Sequence, residues 1–520
     1  MSTVDDTAAL GAVLATLDEA QRLGVGDMDT TTFRAAAHRV VDLMADYLAG
    51  IEAHPVLPPI APGHVREQLP AGPPEAPEPL ASILADYQAI IEPNMTNWQH
   101  PGFLAYFPST ASAPGILAEM LVATLVGNAM LWRTSPAATE LEQVTVAWLR
   151  DGLGLPPEFD GMYNDTASTS SLIALAAARQ RSTGDAAASG LAGQARLRVY
   201  GSPETHSSIE KACMTLGIGR AGFRRVSVGS DAAMEPAALR AAVDEDRAAG
   251  WLPSAVVATL GTTGSTAIDP VAAIADVAAA EGLWLHVDAA YAGVVALIPE
   301  RRAPFVGWER ADSIVVNPHK WLFTPFDCSL LLTRQMPVMR DAFSLVPEYL
   351  RSLDQTAGRD YNEYIPQLGR RFRALKIWFV VRYFGLEGLR RRLAAHIALA
   401  DRFRAYVEAE PDAQILAATP FSTVCFRWRP RAVAGREGEV DVASVLDHLN
   451  EELMSAMNAS GEVFLSHARL DGRLALRVSI GGLRTEPRHV DRTWALVVEH
   501  GRRLAGDAMA EIAGRGTASG

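Results

Sequence analysis

An α/β fold with a mostly parallel central sheet and flanking helices is predicted by two features of this 520-residue sequence. Short β-rich runs alternate with helical stretches: Arg196-Leu-Arg-Val-Tyr200, Ser254-Ala-Val-Val-Ala-Thr-Leu260, Trp284-Leu-His-Val-Asp288 and Ile314-Val-Val316 are the runs, and the alanine-rich Val271 to Glu281 is one of the helices between them. Each run then stops at polar or glycine-containing residues, so reactive side chains collect at strand C-terminal ends, where such sheets bind ligands. Beyond about residue 390, runs such as Ser422 to Arg427 and Leu474 to Ile480 predict a smaller C-terminal α+β domain. The expected organisation is an N-terminal helical and proline-rich arm over 1–112, a large domain over 113–389 and a small domain over 390–520.

Bulk properties narrow the function classes. A formal net charge of -13 disfavours a nucleic-acid partner. Three widely spaced cysteines, Cys213, Cys328 and Cys425, form no metal-ligand pattern and suit a reducing compartment. No apolar run is long enough to span a bilayer, and the first residues lack a secretory pattern. The expectation is a soluble, cytoplasmic protein with neither membrane nor nucleic acid as a partner.

From the N-terminus, Ala8 to Leu23 reads as a weakly apolar helix, and Asp29 opens a second, amphipathic one carrying Val40, Val41, Met44, Tyr47 and Leu48. Nine prolines between Pro55 and Pro79 rule out a regular helix and predict an extended arm. The aromatic run Trp98 to Ser109 fits either ordinary core or the wall of an apolar cleft. Helices are expected over Ile116 to Val126 and Glu140 to Leu153. Asn164 to Ser171, rich in small hydroxylated residues, precedes the apolar run Leu172 to Arg179; on its residues alone it reads first as a plain helix cap, and it also suits a phosphate cradle. His206 enters a helix, and Gly261-Thr-Thr-Gly-Ser265 is a turn after a strand.

Two strand ends carry the chemistry. Asp288 ends one strand and Lys320 follows the next, within Asn317-Pro-His-Lys-Trp321. A lysine held between apolar strands loses ammonium character and becomes a nucleophilic amine, although a lysine beside a strand can also simply reach solvent. A paired carboxylate and amine of this kind are what pyridoxal phosphate requires, one for its ring nitrogen and one for its aldehyde. Leu345 to Pro366, with no clear period, reads as a surface loop or a lid.

His286-Val-Asp-Ala-Ala-Tyr-Ala-Gly293 together with Asn317-Pro-His-Lys-Trp321 resembles the pyridoxal-phosphate-dependent aromatic-L-amino-acid decarboxylases of group II, over roughly Phe33 to Val497. The resemblance implies a fold-type I homodimer with active sites at the subunit interface, the N-terminal arm packing on the partner. It implies decarboxylation of tryptophan, tyrosine, phenylalanine or dopa on a cofactor carried by Lys320. By the same resemblance Thr166, Ala167 and Ser168 would hold the phosphate, with Thr263, Ala290, Asn317 and His319 around the cofactor. His206 would stack on its ring, Asp288 would meet its nitrogen, and Tyr361 would return a proton to Cα with His206 assisting. Trp98, Tyr106, Phe107, Pro108, Asn128, Met130 and Gly369 would line the substrate pocket. The family's aldehyde synthases tend to replace the loop tyrosine or the histidine, so Tyr361 and His206 favour simple decarboxylation. Thr169, Asn128 and Met130 depart from the usual pattern, and Gly369 leans towards accepting an indole.

Overall fold

Seven strands form the central sheet: β1 (Asp160–Asn164), β2 (Leu197–Gly201), β3 (Phe223–Arg225), β4 (Leu252–Thr259), β5 (Trp284–Asp288), β6 (Ser313–Val316) and β7 (Ser329–Thr333). Their spatial order is β1-β7-β6-β5-β4-β2-β3, parallel throughout except that β7 runs antiparallel to both β6 and β1. Only residues 317–328 separate β6 from β7, and their one helical turn, Pro318–Trp321, is too little for a crossover that would return the chain parallel. That short return is what holds Lys320 at the sheet edge. The computed structural model describes residues 12–345 and 358–518.

Helices cover both faces, so the central strands read as continuous apolar runs. Period-two alternation sorts the strands' side chains between two cores. Ala255, Val257 and Trp284 pack with Ile173, Leu175 and Ala177 of the helix Ala167–Thr183. Val256, Ala258, Leu285 and Val287 pack with Val146 and Leu149 of Pro136–Leu153 and with Ile274 of Val271–Glu281. Asp288 shares the parity of Trp284 and His286, which turns it to the Ala167–Thr183 side.

A second, four-stranded antiparallel sheet is built from β8 (Ala413–Ile415), β9 (Thr423–Trp428), β10 (Ser466–Leu470) and β11 (Arg473–Ser479), in the order β10-β11-β9-β8. The chain divides into two compact units, Met1–Phe103 with Ser455–Phe464, and Leu104–Met454 with Leu465–Gly520. Both sheets lie in the second unit. The helix Ala374–Ala409 runs straight through the expected 389/390 boundary, with its break at Gly385 instead. In the first unit, Asp29 caps the helix Thr30–Gly50 by accepting from the Thr31 and Thr32 amides. The proline-rich stretch is less extended than expected: a short helix, His64–Gln68, fits between Pro62 and Pro70. Part of the predicted Ala8 to Leu23 helix lies outside the described residues; Glu19–Leu23 forms a separate helix because Asp18 and Gln21 close a capping box.

Gly307 sets the turn before β6. Its φ is +96°, and a Cβ there would stand 2.5 Å from the Ala272 backbone. Gly307→Ala should therefore cost about 3 kcal/mol of stability, read as a lower denaturant midpoint.

Candidate active site

Asp288, Lys320 and His206 meet at the C-terminal edge of the parallel strands. β5 pairs with β6 in the register Asp288↔Val315, and the turn that follows is stitched by Asn317 N–H to the Ala290 carbonyl at 3.0 Å. Ala290 N–H donates to Asp288 Oδ1 at 3.1 Å, which fixes the carboxylate. Burial lowers the Lys320 pKa, and the charge of Asp288 opposes part of that shift. His206 caps the helix Ser207–Thr215, its Nδ1 accepting from Ser208 N–H at 3.2 Å. Burial holds this imidazole below its ordinary value against the pull of Asp288. The ring is thus neutral, with its proton assigned to Nε2.

Thr166 is the N-cap of Ala167–Thr183, yet its side chain makes no capping hydrogen bond; its hydroxyl faces Asp165 at 3.4 Å. The first-turn amides, Ala167 and exposed Ser168 among them, have no acceptor within the helix and are left for an external oxyanion. His319 is buried, and its Nδ1 accepts from Cys328 N–H at 2.9 Å, which makes Nε2 the donor. The Asn317 side-chain oxygen is buried with no partner. Thr263 is exposed, whereas neighbouring Thr262 is consumed by the turn, its hydroxyl serving Ser265 and Ala267. An open helix N-terminus, an orphaned buried oxygen, a neutral histidine donor and a desolvated lysine facing a carboxylate fit pyridoxal phosphate.

One side of the site is an aromatic stack that the residues alone left undecided. Phe107 lies on Tyr291 at 3.8 Å between centroids, and Tyr291 on Trp321 at 5.0 Å. Lys320 Nζ stands 5.2 Å from the Phe107 centroid. The Tyr291 hydroxyl is held by Ser422 at 2.6 Å, and Trp321 Nε1 donates to His396 at 2.9 Å. Pro108 is buried beside this stack, while Tyr106 is exposed. Asn128 and Gly369 come together: Asn128 Oδ1 accepts from Arg370 N–H at 2.9 Å, and Asn128 Nδ2 faces the Met130 sulfur at 3.4 Å. Arg370 in turn makes a buried, bidentate pair with Glu142. Trp98 belongs to the first unit, stacked on Phe103 at 4.2 Å.

Tyr361 requires a correction. It is fully buried among Met162, Ile173, Leu331 and Ile365, under the Arg370 guanidinium at 4.3 Å. Burial and the nearby Glu142 push its hydroxyl well above the ordinary value. Among the described residues its hydroxyl is enclosed with no hydrogen-bond partner, so the contacts observed are those of a packing residue and not of a proton donor facing the site. Much of the expected lid, residues 346–357, lies outside the described residues. Sequence reasoning also missed Tyr291 and the Glu142–Arg370 pair. Tyr291 sat inside the quoted motif, whereas Glu142 is one of several charged residues of its helix and carried no local signal.

The sheet order, with a lysine and an aspartate at the edge of its parallel strands, defines a fold-type I pyridoxal-phosphate enzyme. The chain belongs to the pyridoxal-dependent decarboxylase family, whose conserved-domain model matches residues 62–429. It is 39% identical to a phenylacetaldehyde synthase of Arabidopsis thaliana, covering 92% of this chain and 97% of that protein. It is 38% identical to tryptophan decarboxylase 2 of Oryza sativa subsp. japonica, covering 92% and 96%. The solved Oryza sativa TDC with PLP and tryptamine superposes with a TM-score of 0.88 at 35% identity, over 92% of this chain and 99% of that one.

Burial also keeps His286, His319 and His396 neutral, lowering them from 6.5 to about 4, about 3 and about 4. Below pH 6.5 the unfolded chain takes up protons there that the folded chain refuses, so stability falls as pH drops towards 4. Asp269, raised to about 6 by burial, acts in the opposite direction as a single group. Melting temperature of the protein should therefore decline steadily from pH 7 to pH 4.

Proposed function

We propose that the protein decarboxylates aromatic L-amino acids of the tryptophan, tyrosine, phenylalanine or dopa type to their amines. The observation that carries this reading is the placing of the desolvated Lys320 amine between Asp288 and the Phe107–Tyr291–Trp321 stack. Lys320 would hold the cofactor through its aldehyde carbon, and the Ala167 end of the helix would hold its phosphate, with Thr166, Ser168 and His319 contributing donors. Thr263, Ala290 and Asn317 would complete the cofactor's surroundings. When bound, pyridoxal phosphate supplies the electron sink for the bond broken at the substrate Cα. Asp288 would keep a proton on the ring nitrogen. The neutral imidazole of His206 presents a flat face and a donor at Nε2. The aromatic stack would seat the substrate side chain to one side, leaving the carboxylate as the group to depart.

The same reading places a second copy of the chain against this one as a homodimer. Leu117, Leu121 and Leu125 form an exposed apolar stripe along the helix Ala113–Leu125, and Phe33 and Val41 are exposed on Thr30–Gly50. Such stripes suit burial against a partner. Asn128, Met130 and Gly369, exposed or half-buried, would complete the pocket. Three free, buried cysteines suit a cytoplasmic setting, and no helix among the described residues is long and apolar enough to cross a membrane.

Oxygen-consuming aldehyde formation is the second reading, favoured by the likeness to phenylacetaldehyde synthase. A panel of L-amino acids, aromatic and acidic, with amine, aldehyde and peroxide followed together, decides between them. Amine without peroxide is expected. Aldehyde with peroxide would select the second reading, and no turnover of any aromatic substrate would sink both. Asp288→Ala should lower kcat/KM on the order of 10²-fold or more. With Tyr361 in the core, Tyr361→Phe should leave the product unchanged. A Cβ at Gly369 meets nothing within 4 Å. Gly369→Ser should therefore fold normally and lower tryptophan turnover relative to tyrosine by about tenfold.

A further inference from the structure

Arg477 is a buried cation that the proposed chemistry leaves unused. It stands on β11 at 2% exposure, between Ser466 of β10 and Cys425 of β9. No carboxylate among the described residues pairs with it, and burial pulls its guanidinium below the usual range. A charge buried without a counter-ion is costly, and apolar filling of such a site is commonly as stable or more so. Stability alone is therefore a weak reason for an arginine here.

Its contacts point elsewhere. Nε donates to the Gly264 carbonyl at 3.0 Å, next to Thr263 in the loop after β4. Nη1 donates to Ser466 Oγ at 2.8 Å, and Nη2 reaches the Tyr106 carbonyl at 3.4 Å. Ser466 Oγ also accepts from Tyr106 N–H at 3.1 Å. The Ser466–Arg477 pair thus grips both polar backbone atoms of Tyr106, whose φ of +51° is disfavoured for an aromatic residue. The guanidinium carbon lies 5.3 Å from the centroid of Phe107, the ring that Lys320 Nζ also approaches. The guanidinium reaches these three acceptors from three separate nitrogens of one rigid plane, whereas the donors of an ammonium all radiate from a single nitrogen.

We infer that Arg477 is a positioning residue: with Ser466 it holds the Tyr106–Phe107 wall and the Thr263–Gly264 loop in fixed relation, and so sets where the substrate side chain lies. This rests on the aromatic decarboxylase reading.

The test is a double-mutant cycle of Arg477→Lys, Ser466→Ala and the pair, in the holoenzyme, with cofactor content and melting temperature recorded. Near-ultraviolet circular dichroism of the Phe107–Tyr291–Trp321 stack gives a readout independent of turnover. Arg477→Lys should keep its cofactor, change that spectrum, and lose kcat/KM on the order of 10²-fold. Ser466→Ala should change the spectrum in the same sense and lose less. The pair should be little worse than Arg477→Lys alone, because both act through Tyr106. Additive losses, or an unchanged spectrum with unchanged kcat/KM, would overturn the inference. Should Arg477→Lys not fold, Ser466→Ala decides alone through its spectrum. Wild-type protein inactive on every aromatic substrate would defeat the functional reading, while the spectral cycle would still decide the role of Arg477.

Discussion

The parallel register between β5 and β6 is the constraint on which the rest depends. With Asp288 opposite Val315, the carboxylate leaves the sheet on the side of the helix Ala167–Thr183, and the turn after Val316 brings Lys320 back over the same edge. A slip of one residue would turn Asp288 to the opposite face and bury it in the core beneath Pro136–Leu153. The register is fixed from several sides. Leu285 N–H and the Trp284 indole both donate across to the β6 end, to Asp312 and Ser313. His286 bridges Ser313 and Ser171. Each of those bonds would be lost by a slip.

Desolvation then does chemical work at that edge. The burial that keeps His286, His319 and His396 neutral also lowers Lys320 and His206, the two groups whose neutral forms the site uses. Asp288 opposes the shift in both. The aromatic stack adds to that burial through Phe107, whose ring lies 5.2 Å from the amine, with Tyr291 and Trp321 stacked behind it.

What the sequence made legible was whatever sits at the end of a strand. Asp288, Lys320, His206 and the Thr166–Ser168 turn each follow a β-rich run or open a helix, and period and punctuation locate such positions. Less legible was anything defined by two distant segments. Arg477 reads as one charge in an apolar strand, and nothing local says that it reaches Gly264 and Tyr106. The Glu142–Arg370 pair joins residues 228 apart in sequence. Tyr361 misled because its place within a proposed lid suggested mobility. The Arg359–Asp160 pair and the Trp132 bond to Asp360 fasten its neighbours, and the tyrosine itself packs into the core. The antiparallel β7 follows from the shortness of residues 317–328, which the sequence displayed but which the alternation of strands and helices obscured.

The central claim is that Lys320, and no other amine, carries the cofactor. Borohydride reduction of the holoenzyme followed by peptide mass mapping tests it directly. The account predicts a pyridoxyl-phosphate adduct on the peptide containing Lys320, and none in Lys320→Ala. An adduct confined to Lys211 or Lys376, or one that survives in Lys320→Ala, would contradict it.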